Sequence, residues 1–230
     1  WILKNAKMGI AVRSTTSGFT PLHVASIRNH ERTARWLVSE ANAPVDLESA
    51  GSTTVIMCAA HSGNINLMKF FLAKGAVLQS RSKPIIAVAA AKGHLEAIKW
   101  LYSQGCELDA VSPTGTSAVM HAAVNGHKRV LEWLAKKNCD LLRAYESGDT
   151  ALAWAADKGR LKVVKWLVKR GASLTAHNKT GSFPFSLAAT NGHVEVMEFL
   201  LKKGSPLKAS CEKPERSTAL VNATRNGHME

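Results

Sequence analysis

The chain has 230 residues, 46% hydrophobic and 20% charged, which supplies enough apolar surface for a core and excludes a disordered composition. No apolar run approaches the roughly 20 residues of a membrane-spanning helix, and the start lacks the layout of a secretory signal. Thirty Lys and Arg against 17 Asp and Glu give a formal charge of +13, which leaves an acidic partner open without identifying one.

Along the chain one segment recurs. It appears first as Thr20-Pro-Leu-His-Val-Ala-Ser-Ile-Arg-Asn-His30, then from Thr54 to Asn64, from Pro84 to His94 and from Ser117 to His127. Three further copies run from Thr150 to Arg160, Phe183 to His193 and Thr218 to His228. Their last residues are spaced by 34, 30, 33, 33, 33 and 35 positions. A period near 33 predicts a stacked array in which each unit buries its apolar face only against its neighbours. After each copy comes a second helical pattern, as in Leu95 to Gly105 and Leu161 to Gly171, ending on a glycine able to close a helix in the left-handed conformation. Six residues beyond each copy stands an aromatic: Trp36, Phe70, Trp100, Trp133, Trp166 and Phe199. Helical spacing assigns this row to the buried stripe of the second helix, as a ladder between units, in preference to stacking platforms for bases.

The recurring segment resembles the ankyrin repeat, whose pattern is Thr-Pro-Leu-His-x-Ala-Ala-x-x-Gly-His followed by a second amphipathic helix. Thr20, Pro21, Leu22 and His23 carry its start intact, and Ala122 to His127 and Ala188 to His193 carry its end in full. The resemblance implies an all-α solenoid of stacked helix-turn-helix units with β-hairpin-like finger loops. It covers essentially the whole chain as one array over residues 1–230. Residues 1–13 match the second half of an earlier repeat, and repeats begin near 14, 48, 79, 111, 144, 177 and 211, the last incomplete. Neither end carries a polar capping repeat, so a segment of a larger regulatory protein is expected.

The four cysteines, Cys58, Cys106, Cys139 and Cys211, show neither metal-ligand spacing nor a disulfide framework, so free thiols in a reducing, cytoplasmic location are expected. Of nine histidines, His30, His94, His127, His193 and His228 are repeat equivalents at the turn between the two helices. Neighbouring equivalents lie roughly 10 Å apart, too far to share a zinc with bonds of about 2 Å, so their expected role is to hydrogen-bond backbone in the turn. His121 falls where Val24, Val88 and Leu187 stand in other copies and reads as a buried, satisfied histidine. No nucleophile–base pair, phosphate loop or paired carboxylates occur. No enzyme, cofactor or metal is expected.

Two surfaces compete as binding sites. The resemblance implies that a protein or peptide partner binds the concave side, built from fingers and first helices. The matching positions are Phe19, Ile27, Arg28, His61, Ser62, Arg81, Lys83, Lys92, Thr114 and Asn125, then Tyr145, Glu146, Asp149, Asp157, Lys158, Lys179, Thr190 and Asn191. Bases and acids mix here, which suits a protein interface more than a uniform polyanion, and Phe19 and Tyr145 are the expected anchors. The alternative is a basic convex patch over residues 158–179, carried by Arg160, Lys162, Lys165, Lys169 and Arg170 beside Lys158 and Lys179, with an acidic protein, RNA or anionic membrane as its partner. Nucleic acid is not favoured, and a monomer is expected. Copy three is short before Pro84, which predicts a stubby finger over 79–83. Asn138 replaces the terminal glycine, and asparagine also tolerates the left-handed conformation. A polar lead-in over 208–216 predicts a protruding loop, and Asn222 makes the seventh copy the least regular.

Overall fold

Most first helices start where a hydroxyl accepts an orphan backbone N–H. In the computed structural model, which describes residues 12–78 and 83–207, the first helices are α1 (Pro21–Ile27), α3 (Val55–Ser62), α5 (Ile85–Ala91), α7 (Ala118–Asn125), α9 (Ala151–Asp157) and α11 (Pro184–Thr190). The side chains of Thr20, Thr54, Ser117 and Thr150 accept the backbone N–H three residues on, the usual N-cap arrangement. At Phe183 the partner is reversed: its N–H donates to Ser186 Oγ at 2.9 Å. Pro84 caps α5 without a side-chain bond.

The second helices are α2 (Glu31–Ser39), α4 (Ile65–Ala73), α6 (Leu95–Ser103), α8 (Lys128–Lys136), α10 (Leu161–Lys169) and α12 (Val194–Lys202). Each begins directly after the last residue of a recurring segment. Asn138 has φ 61°, the left-handed conformation its sequence position required. Asn42 does the same, with φ 53°, at the end of α2, where one inserted residue shifts the closing bond to Ala43 N–H on Leu37 O at 2.8 Å.

The described residues fall into two compact units divided between Pro113 and Thr114. In the first, α1 packs on α3 and α3 on α5, while α2 meets α4. In the second, α7 packs on α9 and α9 on α11, while α8 meets α10 and α10 meets α12. The first helices approach closely because their facing residues are small: Ala59–Ala60, Ala89–Ala90, Ala122–Ala123, Ala155–Ala156 and Ala188–Ala189 are wholly buried. Leu22, Ile56, Ile86, Val119, Leu152 and Phe185 fill the same core position in successive copies. Truncating such a side chain to alanine costs about 2–5 kcal/mol.

The finger loops close as hydrogen-bonded turns. Gly148 N–H donates to Tyr145 O at 2.7 Å and Tyr145 N–H to Asp149 O at 3.1 Å, and Asn178 to Ser182 repeats the pattern. Among the described residues the isolated β-bridge is Glu48 with Thr54. Adjacent fingers are joined by backbone bonds, Ala50 N–H to Ser17 O and Lys179 N–H to Ser147 O.

Two expectations are corrected. The aromatic row is not on the buried stripe: Trp36 is 43% exposed, and Phe70, Trp100, Trp133, Trp166 and Phe199 are half-buried. The stripe runs one residue later, through Leu37, Phe71, Leu101, Leu134, Leu167 and Leu200. Consecutive helical residues point about 100° apart, so only one of each pair can face the core. The rings instead lie along its edge, with cations over Phe70, Trp133, Trp166 and Phe199. Arg35 sits 4.7 Å from the Phe70 centroid and Lys165 5.7 Å from Phe199, each reaching to the next repeat. Arg170 covers Trp166 at 4.4 Å within one repeat. His121 is half-buried rather than buried, since α7 turns this position away from the alanines that bury it on its other side.

Candidate partner-binding face

The link between repeats explains the recurring turn residue. The His94 ring lies against Gly63, and its Nε2–H donates to the carbonyl of His61 at 3.0 Å. His193 does the same over Gly159, donating to Asp157 O at 2.9 Å. A carbonyl only accepts, which assigns the proton to Nε2 in both rings. A Cβ on Gly63 would stand 2.6 Å from His94 Nδ1, and one on Gly159 2.7 Å from His193 Nδ1. The glycines therefore serve both a positive φ and this close approach. Where the histidine is replaced, the job is kept: Arg160 Nε donates to Val124 O at 2.9 Å across Gly126. Asn64 reaches Asn29 Oδ1 and Glu31 Oε2, both at 2.8 Å, and this bond, ahead of Arg35, holds the Glu31 carboxyl below its ordinary range. His94 and His193 thus bond the backbone of the preceding repeat, not of their own turn.

A second link starts at His23. Its Nδ1 lies 2.8 Å from Thr20 Oγ1, and its Nε2–H donates to Thr53 O at 3.0 Å, one repeat on. The ring is fully buried, and that burial lowers its pKa against the opposing backbone hydrogen bonds. Phe19 stacks on it with centroids 5.4 Å apart.

The expected site residues divide between the two units. In the first, Arg28 and Lys92 cap α1 and α5 and are exposed, Lys83 is exposed, and His61 and Phe19 are half-buried. Burial lowers the His61 pKa, with Lys92 and His94 adding repulsion, and its Nδ1 is buried with no hydrogen-bond partner. Arg81 lies outside the described residues. In the second unit, Asn125, Glu146, Lys158, Lys179 and Asn191 are exposed. Asp157 collects its neighbours: its carboxylate accepts from Asn191 Nδ2 at 2.9 Å and pairs with Lys158 Nζ at 2.9 Å. Asp149 accepts from Asn178 Nδ2 at 2.9 Å beside Lys179. Tyr145 is half-buried and already engaged, its hydroxyl bonded to Ser117 Oγ and its ring 5.6 Å from the Arg143 guanidinium.

Sequence reasoning missed Trp154. It occupies the position of Val24, Cys58, Val88, His121 and Leu187 in the first helices, is half-buried, and has a buried indole nitrogen without a hydrogen-bond partner. Comparing that row across copies would have found it, since it is the largest side chain there.

The basic residues of the alternative patch are all exposed. Lys162, Lys165, Lys169 and Arg170 lie on α10 away from buried Val163, Val164 and Leu167, whereas Arg160 is bound into the inter-repeat link. Cys58, Cys106 and Cys139 are free thiols. Burial pushes Cys58 up to about 12 and raises Cys106, which makes both poor nucleophiles. Cys211 lies outside the described residues. Among the described residues no His, Cys, Asp and Glu cluster could hold a metal ion, and no helix is long and apolar enough to cross a membrane.

No curated protein matches the chain. The family model described as ankyrin repeats (3 copies) matches residues 1–82 and 85–178, and the one described as ankyrin repeat matches residues 180–211. With helix pairs at the matching period and inter-repeat bonds at the motif's histidines, the chain belongs to the ankyrin-repeat family.

Proposed function

We propose that the chain is a protein-interaction scaffold that binds a folded partner or peptide through the fingers and first helices, the concave side of the repeats in each unit. Ankyrin repeats are protein–protein interaction modules and typically non-enzymatic, and a binding module rather than an enzyme is the reading adopted for this chain. The observation that supports the site is chemical variety at one structural position. Arg28, Lys92, Asn125, Lys158 and Asn191 end or follow the first helices in exposed positions, while the small residues beside them, Ala25–Ser26 and the alanine pairs, are buried. Such side chains can change without disturbing the core, which is what a recognition surface needs. A reducing intracellular compartment fits the free thiols.

The test is capture of protein partners with two baits besides the unaltered chain. One carries Lys92→Glu, Asn125→Arg, Lys158→Glu and Asn191→Arg. The other carries Lys162→Glu, Lys165→Glu and Lys169→Glu. Partners lost with the first variant but kept by the second support the reading, and a set of partners that the first variant leaves intact refutes it.

A second reading is a polyanion-binding face on the second helices. It is favoured by the exposure of Lys162, Lys165 and Lys169 on a helix with no acidic residue, and of Arg170 at its cap.

A further inference from the structure

The second unit carries one basic pair at the C-terminal end of each second helix: Lys136–Lys137, Lys169–Arg170 and Lys202–Lys203. All six residues are exposed, and they recur at an exact interval of 33 positions. The first unit has the same helix ends without the pairs, namely Ser39–Glu40, Ala73–Lys74 and Ser103–Gln104. Its helices form regardless, so a basic pair is not needed to complement the helix dipole, for which one cation is enough. Across each second helix and the residue after it, the second unit has ten Lys and Arg against three Glu, and the first has five against three. Among the described residues none of Lys136, Lys169, Lys202 and Lys203 pairs with a carboxylate.

The geometry chooses among polyanions. Because α8 packs beside α10 and α10 beside α12, the pairs form a row with steps of roughly 8–10 Å, the separation of packed helices. Seven residues of α-helix advance about 10.5 Å and return to nearly the same face. A single-stranded nucleic acid would need open rings to stack on, but Trp133, Trp166 and Phe199 lie under Lys137, Arg170 and Lys165. A flat anionic bilayer would meet both exposed Glu195 and Glu198 on α12, whereas a helix lying along the C-terminal ends passes clear of Glu195, about two turns from Lys202, and meets only Glu198. We propose that this row docks an acidic α-helical segment of a partner protein, with Asp or Glu pairs repeating every seven residues. The inference rests on the polyanion reading of the same face.

The test is fluorescence anisotropy of a labelled three-heptad helical peptide bearing Glu pairs at seven-residue spacing, with the full chain. A peptide of the same composition with pairs every five residues, an RNA duplex and phosphatidylserine vesicles serve as competing probes. The seven-spaced peptide should bind, weaken about tenfold or more with Lys136→Glu/Lys169→Glu/Lys202→Glu, and be unaffected by Lys92→Glu/Lys158→Glu. Unchanged helical circular dichroism of the triple variant excludes unfolding as the cause. Equal binding of the five-spaced peptide, or unchanged binding by the triple variant, overturns the proposal. Preferential binding of RNA or vesicles, lost in the triple variant, overturns the acidic helix but keeps the polyanion face. Binding of no probe removes both.

Discussion

Gly159→Ala should destabilise the protein through the inter-repeat link as well as through its own backbone. Gly159 has φ 64°, a conformation that costs an L-residue about 1–2 kcal/mol. The new Cβ would stand 2.7 Å from His193 Nδ1 and 2.9 Å from Cε1, so the ring must move. That movement breaks the 2.9 Å bond to Asp157 O, with a net contribution of about 0.5–1.5 kcal/mol. The expected loss is therefore about 1.5–3.5 kcal/mol. Gly171→Ala is the matched control: φ is 86° and nothing lies within 4 Å of its Cβ, so only the backbone cost of about 1–2 kcal/mol applies. In a His193→Ala background the link is already gone, and Gly159→Ala should then cost no more than Gly171→Ala. Equilibrium urea unfolding followed by far-UV circular dichroism measures all four, with the midpoint read at unchanged slope. Equal losses for Gly159→Ala and Gly171→Ala in the unaltered chain would show that the histidine link contributes nothing.

Two further outcomes follow from burial. His23 is held neutral by its surroundings, so its folded pKa lies below the unfolded value near 6.5. Below that pH the unfolded chain takes up the proton first, and stability should fall by up to about 1.4 kcal/mol per pH unit for this group; His61 acts in the same direction. Unfolding midpoints from pH 8 to 5 should decline less steeply for His23→Gln, and an unchanged slope would refute the assignment. In a Cys211→Ser background, aromatic-disulfide labelling should modify half-buried Cys106 first and leave Cys58 unreacted until the protein unfolds. Rapid native labelling of Cys58 would contradict its placement.

Much of the fold is legible in the recurring segment because its signals are local. Thr20, Thr54, Ser117 and Thr150 start helices through bonds to residues three positions away, so the chain itself carries both partners. Asn138 takes the left-handed conformation for the same local reason. The candidate sites were harder to read. Tyr145 looked like an open anchor, but its hydroxyl meets Ser117, 28 positions earlier, and Phe19 is stacked on His23. Trp154 was overlooked because no motif marks it, only its place in a row across repeats.

The sequence by itself determined the period, the helix pairs, the caps and the outward direction of Lys162, Lys165 and Lys169. Helical periodicity and capping depend on residues a few positions apart. The tertiary structure decided what lies at the edge of each stripe. It turned the aromatic row from core to a shelf at its edge, with cations over Phe70, Trp133, Trp166 and Phe199, and directed His94, His193 and Arg160 back to the preceding repeat. It also placed the basic pairs of the second unit side by side. The contacts of Arg35, Lys165, His94, His193 and Arg160 join residues about one repeat apart, and one helix's pattern cannot specify which neighbouring surface will cover it.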